Sequence, residues 1–237
     1  MASSYENKAV LFRANPATRD ADADLDIIAI HGLDTQSPGT WTYSKSPGED
    51  VNWLLDENML AARVKGARIF TCNWPAELLQ KPDTIATTLE ESARHLLNSL
   101  TLHVAEGRRE TPRRPRRPIL FIASCLGGII LIKALARDPK LDSDERDLTA
   151  LRKATRGIVF LATPFRGTSF KEIPGFVLPL WAWLGGRSVS ALIDCTREPP
   201  SHLDELVHHF VELQRKHDIH AECFWEGKKT NLLRKSG

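Results

Sequence analysis

Six short apolar runs punctuate the chain: "KAVLFR" from Lys8, "LDIIAIH" from Leu25, "RIFTCNW" from Arg68, "PILFIAS" from Pro118, "GIVFLAT" from Gly157 and "IHAECFW" from Ile219. The middle runs are continuously apolar rather than alternating, which predicts strands covered on both faces. Longer stretches with helical spacing separate them. "DVNWLLDENMLAARV" sets Trp53, Leu54, Leu55, Met59 and Leu60 near one face, and "TIATTLEESARHLLNSLTLHV" does so with Ile85, Leu89, Leu96, Leu100 and Val104. A third helix is predicted from "LGGIILIKALARD", stopped by Pro139, and a fourth from "SHLDELVHHFVELQRKH", with Ser201 as N-cap and Glu205 in its first turn. Strands alternating with helices predict an α/β fold, a mostly parallel sheet with helices on both faces.

Two segments interrupt this rhythm. "IPGFVLPLWAWLGG" from Ile173 holds roughly a dozen apolar residues where about 20 are needed to span a bilayer. It reads as a cap or core helix, with contact to a membrane surface as the alternative. "GRRETPRRPRRP", residues 107–118, carries six arginines and three prolines. Proline opposes helix there, and without interleaved aromatic side chains for base stacking the segment reads as a solvated, semi-rigid connector rather than a docking patch for an anionic partner. The expected organisation is a segment 1–24 bearing the first strand, then one domain over 25–237 with a cap-like insertion at 172–195.

Composition narrows the picture only slightly. A chain of 237 residues with 42% hydrophobic and 26% charged residues suits one soluble globular domain, and a formal net charge of +2 gives no footprint for nucleic acid. The first 26 residues lack a signal peptide's apolar core and carry an acidic run, and the four cysteines form no C-x-x-C pair, so a reducing, cytoplasmic setting is expected. No spacing calls for a metal or a cofactor, and a nucleotide-binding G-x-x-x-x-G-K-[ST] loop is absent.

The chemistry concentrates at "FIASCLGG", residues 121–128. A nucleophile elbow, the sharp strand-to-helix turn of the pattern G-x-S-x-G, needs small residues two places either side of its nucleophile. Centred on Cys125 those places hold Ala123 and Gly127; centred on Ser124 they hold Ile122 and Leu126. The register points to Cys125. A thiol at a helix N-terminus is favoured as the thiolate, and the same turn offers the backbone N–H of Leu126 to an oxyanion. A buried structural cysteine would account for the strand but not for the glycine pair. "IIAIHGLDTQSPGTW" has the form of the loop that completes an oxyanion pocket, with the N–H of Leu33 as second donor. His31 reads as a satisfied strand-end residue rather than the base.

"DIIAIHGL…GTW", "RIFTCNWP", "ILFIASCLGGIILIKAL" and "GIVFLATPFRGTSF" together resemble the lipase-like α/β-hydrolases of the serine active-site-containing and GPI inositol-deacylase group. Within that group they look most like the hydrolase-like N-terminal domains of fungal NACHT or NB-ARC (NOD-like) receptors. The resemblance runs over roughly residues 8 to 235 and implies an α/β-hydrolase fold with acyl hydrolysis as its ancestral chemistry. It carries the nucleophile onto Cys125, the oxyanion donors onto Leu33 and Leu126, and the acid onto Glu226 in "CFWEGKKT". Dienelactone hydrolases resemble this arrangement, with cysteine as the nucleophile of their triad.

In that fold the histidine follows the acid, and "GKKTNLLRKSG" after Glu226 contains none. The expectation is a fold lacking its last strand and helix. His202, His208, His209, His217 and His220 all precede Glu226 and read as surface or packing residues. Two functions follow. One is a cysteine-centred hydrolase of esters, thioesters or lipids, truncated before its histidine; the other is a non-catalytic signalling module that binds protein partners. Either is expected in the cytoplasm, with peripheral contact to an organelle membrane as a further expectation and no nucleic-acid partner.

Overall fold

The computed structural model describes residues 10–15, 22–32, 37–46, 48–74, 85–110, 116–138, 145–163, 165 and 200–225. Eight strands are present among them: β1 Val10–Arg13, β2 Leu25–Ile30, β3 Thr42–Ser44, β4 Asp50–Asn52, β5 Ala67–Asn73, β6 Ile119–Ser124, β7 Thr155–Leu161 and β8 His220–Phe224. Five helices accompany them: α1 Leu60–Arg63, α2 Ile85–Glu110, α3 Leu126–Ala136, α4 Glu145–Ala154 and α5 Pro200–His217. Six strands make one sheet in the order β1-β5-β2-β6-β7-β8; β1 runs antiparallel to β5, and all other neighbours are parallel. All six apolar runs of the sequence lie in this sheet, the first included, while β3 and β4 form a separate hairpin.

Continuous apolar sequence is what a strand covered on both faces requires. Ile27, Ile28, Ala29 and Ile30 of β2 are all fully buried, and alternate residues serve opposite faces. Ile28 and Ile30 join Phe70, Phe121, Leu96, Leu100, Ile130, Leu151 and Phe210 in the larger core, which gathers α2, α3, α4 and α5 onto one face. Ile27 and Ala29 join Ile69, Ile122, Trp41 and Leu54 on the other, where Leu60 and Ala61 of α1 pack alongside. Each fully buried Ile, Leu or Phe contributes about 1.5–3 kcal/mol, so the two clusters carry most of the driving force.

Three expectations require correction. Residues 50–64 are not one helix: the stretch holds β4, tight turns and the single turn of α1. Asn52 accounts for this, because its side-chain oxygen accepts the Leu54 N–H at 3.1 Å and its carbonyl accepts those of Leu55 and Asp56 at 3.0 and 2.8 Å. Asp56 likewise accepts the Asn58 N–H at 3.0 Å, and such local bonds outcompete a helix. Second, helix continues to Glu110, into the arginine-rich segment read as a connector, and the description resumes at Arg116. Third, α5 opens at Pro200 rather than with Ser201 as cap; proline suits a first turn, where its missing N–H has no helical partner to lose. The cap-like stretch 172–195 lies outside the described residues.

At the amino-terminal end of the sheet sits a buried ion cluster. Arg68 donates to both carboxylate oxygens of Asp26, at 2.7 and 2.8 Å, the His103 Nε2 lies 2.9 Å from Oδ2, and Arg117 stands 3.7 Å away. It pins β2, β5, α2 and the approach to β6 together at the end of the sheet away from Cys125.

Candidate functional site

The strand β6 ends at Ser124, and α3 begins at Leu126. Between them Cys125 adopts φ 50°, ψ −126°, a conformation that side-chain-bearing residues rarely occupy and that costs on the order of 1–3 kcal/mol. Its N–H donates to the Leu161 carbonyl at 2.8 Å, and its own carbonyl accepts the Gly128 N–H at 3.1 Å. Strand, turn and helix are thereby locked together, with the half-buried Cys125 at the apex. Ser124 is an ordinary strand residue paired with Leu161.

Three glycines make room for the turn. A Cβ on Gly127 would strike the His31 carbonyl oxygen and stand 3.0 Å from that of Ile30; one on Gly128 would collide with the Thr163 side chain. A Cβ on Gly32 would fall 2.9 Å from the Cys125 Cβ and 3.8 Å from its Sγ. So the loop after β2 and the elbow after β6 meet backbone to backbone, at the carboxyl ends of neighbouring parallel strands, where sites of open α/β sheets form. Leu126 opens α3 beside the thiol and packs its side chain on the larger core. Leu33 and Glu226, the other two residues assigned roles from sequence, lie outside the described residues, as does Cys195.

The remaining described thiols are in different surroundings. Cys72 is fully buried, and burial pushes its pKa up to about 12; Cys223 on β8 is exposed, yet partial burial and the Glu222 carboxylate raise its pKa too. Neither sits at a strand-to-helix turn.

His31 is buried and fully engaged. The backbone N–H of Trp74 donates to its Nε2 at 3.2 Å, its Nδ1 bonds the Gly32 carbonyl at 2.7 Å, and the Trp74 indole N–H donates to its carbonyl at 2.8 Å. Burial lowers the imidazole pKa, against the opposing pull of the Gly32 carbonyl. A ring with both nitrogens occupied cannot take up a proton from Cys125. His208 faces Glu212 at 3.4 Å on the exposed face of α5, and His220 stands 3.9 Å from Glu222 at the start of β8, about 13 Å of strand from that strand's far end. His217 is held below its ordinary pKa by burial and then by Arg152, Lys216 and Lys153; the side chain of His202 is outside the description.

Sequence reasoning missed Asn73, Trp74 and Thr163. The Thr163 hydroxyl is buried without a hydrogen-bond partner beside Gly128, and Asn73 accepts the Ser37 N–H at 3.2 Å. The "CNW" end of the third apolar run was the available signal, but its partners lie 36 and 43 residues away. Among the described residues no cluster of three His, Cys, Asp or Glu could hold a metal ion, and no helix is long and apolar enough to cross a membrane.

A mostly parallel sheet in this order, with an elbow after its central strand, is the α/β-hydrolase fold. No protein-family model matches the chain, and no curated protein matches it. Solved structures similar to it include a mature lipase from Bacillus licheniformis, at 14% identity and TM-score 0.42, covering 91% of this chain and 70% of that one. A lipase-esterase related protein from Clostridium acetobutylicum matches at 8% identity and TM-score 0.42, covering 95% and 93%. The acylaminoacyl peptidase of Pyrococcus horikoshii matches at 12% identity and TM-score 0.43, covering 97% of this chain but 39% of its own. At these values the likenesses say nothing about reaction or substrate.

Proposed function

We propose that the chain is an acyl-hydrolase-like domain in which Cys125 accepts an acyl group from a small ester, thioester or lipid. The observation that carries this reading is the strained backbone of Cys125 at the junction of β6 and α3, held by its bonds to Leu161 and Gly128 and closely packed by Gly32 and Gly127. Strain of this kind, held by its surroundings, collects at reactive positions. The Cys125 sulfur attacks the acyl carbonyl carbon to form an S–C bond, and the thiol proton leaves with the expelled alcohol or thiol. The N–H groups of Leu126 and Leu33 receive the oxyanion. Water then adds to the thioester carbonyl carbon, the S–C bond breaks, the carboxylic acid leaves and the Cys125 sulfur regains a proton; Glu226 is the acid of this site, and His31, with both ring nitrogens bonded, is not its base.

A second reading keeps the fold and discards turnover: a signalling module of the kind the resemblance to receptor N-terminal domains implies. It is favoured by the sealed imidazole of His31, the histidine nearest in sequence to the loop against Cys125. Treatment with 4-nitrophenyl acetate separates the two. Both readings expect a burst of one nitrophenolate per chain with the acetyl group on Cys125, abolished in Cys125→Ala; continued release marks the hydrolase, and a burst alone marks the signalling module. Acetyl on Cys223 with none on Cys125 would overturn the assignment of the nucleophile. Brief, limiting iodoacetamide gives a companion measurement, expected to label Cys125 ahead of Cys223 and to leave Cys72 untouched until the chain unfolds.

A further inference from the structure

β8 is the outermost strand on its side of the described sheet, and all of its residues but Ala221 are exposed. The Ala162 N–H donates to the Phe224 carbonyl at 2.7 Å, so Phe224 turns its backbone polar groups toward β7. In a parallel pair alternate residues face the same neighbour. Glu222 and His220 therefore face β7 too, and the N–H and C=O of Ala221 and Cys223 point away from it. Side chains alternate between the two faces of the sheet. Ala221 packs on the larger core, while His220 and Glu222 share the other face, 3.9 Å apart and with side chains 88% and 65% exposed. Sheet edges are ordinarily blunted by lysine, proline or a bulge. The β8 sequence "HAECF" contains neither lysine nor proline, and its register with β7 is unbroken.

We propose that β8 is a homodimerisation edge, pairing antiparallel with β8 of a second copy of this chain about a two-fold axis at Ala221. Two identical edges close on each other through such an axis, which sets the neighbouring strands antiparallel. The outward N–H and C=O groups then bond each other, and three registers allow this: Ala221 opposite its copy, Cys223 opposite its copy, or Ala221 opposite Cys223. Charge separates the three. The last sets Glu222 directly against the second copy's Glu222, where the carboxylates repel, and the Cys223 register sets Glu222 against Phe224. The Ala221 register puts His220 opposite Glu222, and the symmetry makes that contact twice, at non-hydrogen-bonded positions with Cα atoms about 4.5 Å apart. An imidazole N–H donates to a carboxylate whether the ring is neutral or protonated. β1, outermost on the other side, carries Arg13 as its only charge and offers a copy of itself no such complement. A pairing this short falls below the area of a stable interface, about 1,200 Å² or more, so the copies part on dilution.

Sedimentation velocity of the 237-residue chain over a concentration series tests the pairing. The wild type is expected to pass from monomer to dimer as concentration rises. Ala221→Pro removes an N–H that points outward and leaves the bonds to β7 in place, so it should abolish the dimer without unfolding the chain. His220→Glu sets like charges across both symmetric contacts and should lower the association constant by about tenfold; adding Glu222→Lys to it should restore the wild-type value. These charge changes lie on an exposed face, so they carry the comparison even if Ala221→Pro fails to fold. A chain that stays monomeric throughout overturns the proposal, as does a dimer indifferent to Ala221→Pro and His220→Glu, which would be joined elsewhere. If Glu222→Lys fails to rescue His220→Glu, the Ala221 register is wrong and the proposed pairing falls with it.

Discussion

At the scale of single residues, the decisive feature is a backbone angle rather than a side chain. Cys125 holds φ 50°, ψ −126° because its N–H is anchored to Leu161 and its neighbours Gly127 and Gly128 admit the His31 carbonyl and the Thr163 side chain. The strain has a measurable consequence. Cys125→Gly should be more stable than Cys125→Ala by about 1 kcal/mol in urea unfolding, since glycine relaxes the backbone at a smaller cost in unfolded-state entropy. Were alanine the more stable of the two, the backbone at this position would not be strained. The register of small residues about position 125 was legible in sequence because an elbow imposes a local steric pattern. The bonds of Asn73 and Trp74 were not, because they depend on β5 lying beside β2 in space.

At the scale of elements, polar side chains decide which apolar patterns become helix. The six strands could be read directly as short apolar-rich runs, the middle ones unbroken as strands covered on both faces require. Residues 50–64 carry helical spacing too, but Asn52 and Asp56 supply the backbone with alternative partners. Helix α4 had no counterpart in the sequence reading, although its acidic first turn and basic last turn follow the helix dipole. The Asp26 cluster shows the same principle in the core. Burial would raise the Asp26 pKa, yet hydrogen bonds from Arg68 and His103, with their charges, bring it from its ordinary 3.8 down to about 2. A carboxylate more acidic folded than unfolded stabilises the fold above the unfolded value, and that stability is lost as pH falls from about 4 toward 2, about 2 kcal/mol in all. Asp26→Asn should therefore flatten the stability profile over that window. At neutral pH it should also cost about 3–5 kcal/mol in urea unfolding, because Arg68 is left buried without its counter-charge. A variant as stable as the wild type, with the same acid limb, would mean that β2, β5 and α2 are held by packing alone.

At the scale of the whole molecule, the site stands on the part of the sheet with the most cover. β2, β6 and β7 each have a strand on both sides and core on both faces, while β1 and β8 are outermost in the described sheet and β3 pairs only with β4. On β8 every residue but Ala221 is exposed, Phe224 among them, whereas β2 is buried from Asp26 to Ile30. Opening free energies follow such differences, running from near zero at exposed elements to the global value in core strands. Amide exchange should accordingly be slowest in β2 and β6, slow through the elbow where the Cys125 N–H is bound to Leu161, and fast in β3, β4 and β8. This bears on chemistry as well as stability. An oxyanion pocket acts through donors fixed before the substrate arrives, so an elbow built on core strands keeps its geometry without reorganising for each reaction. If residues 121–128 exchange as fast as the β3–β4 hairpin, the elbow opens locally in the native state, and a site held ready for acyl transfer is the wrong description of it.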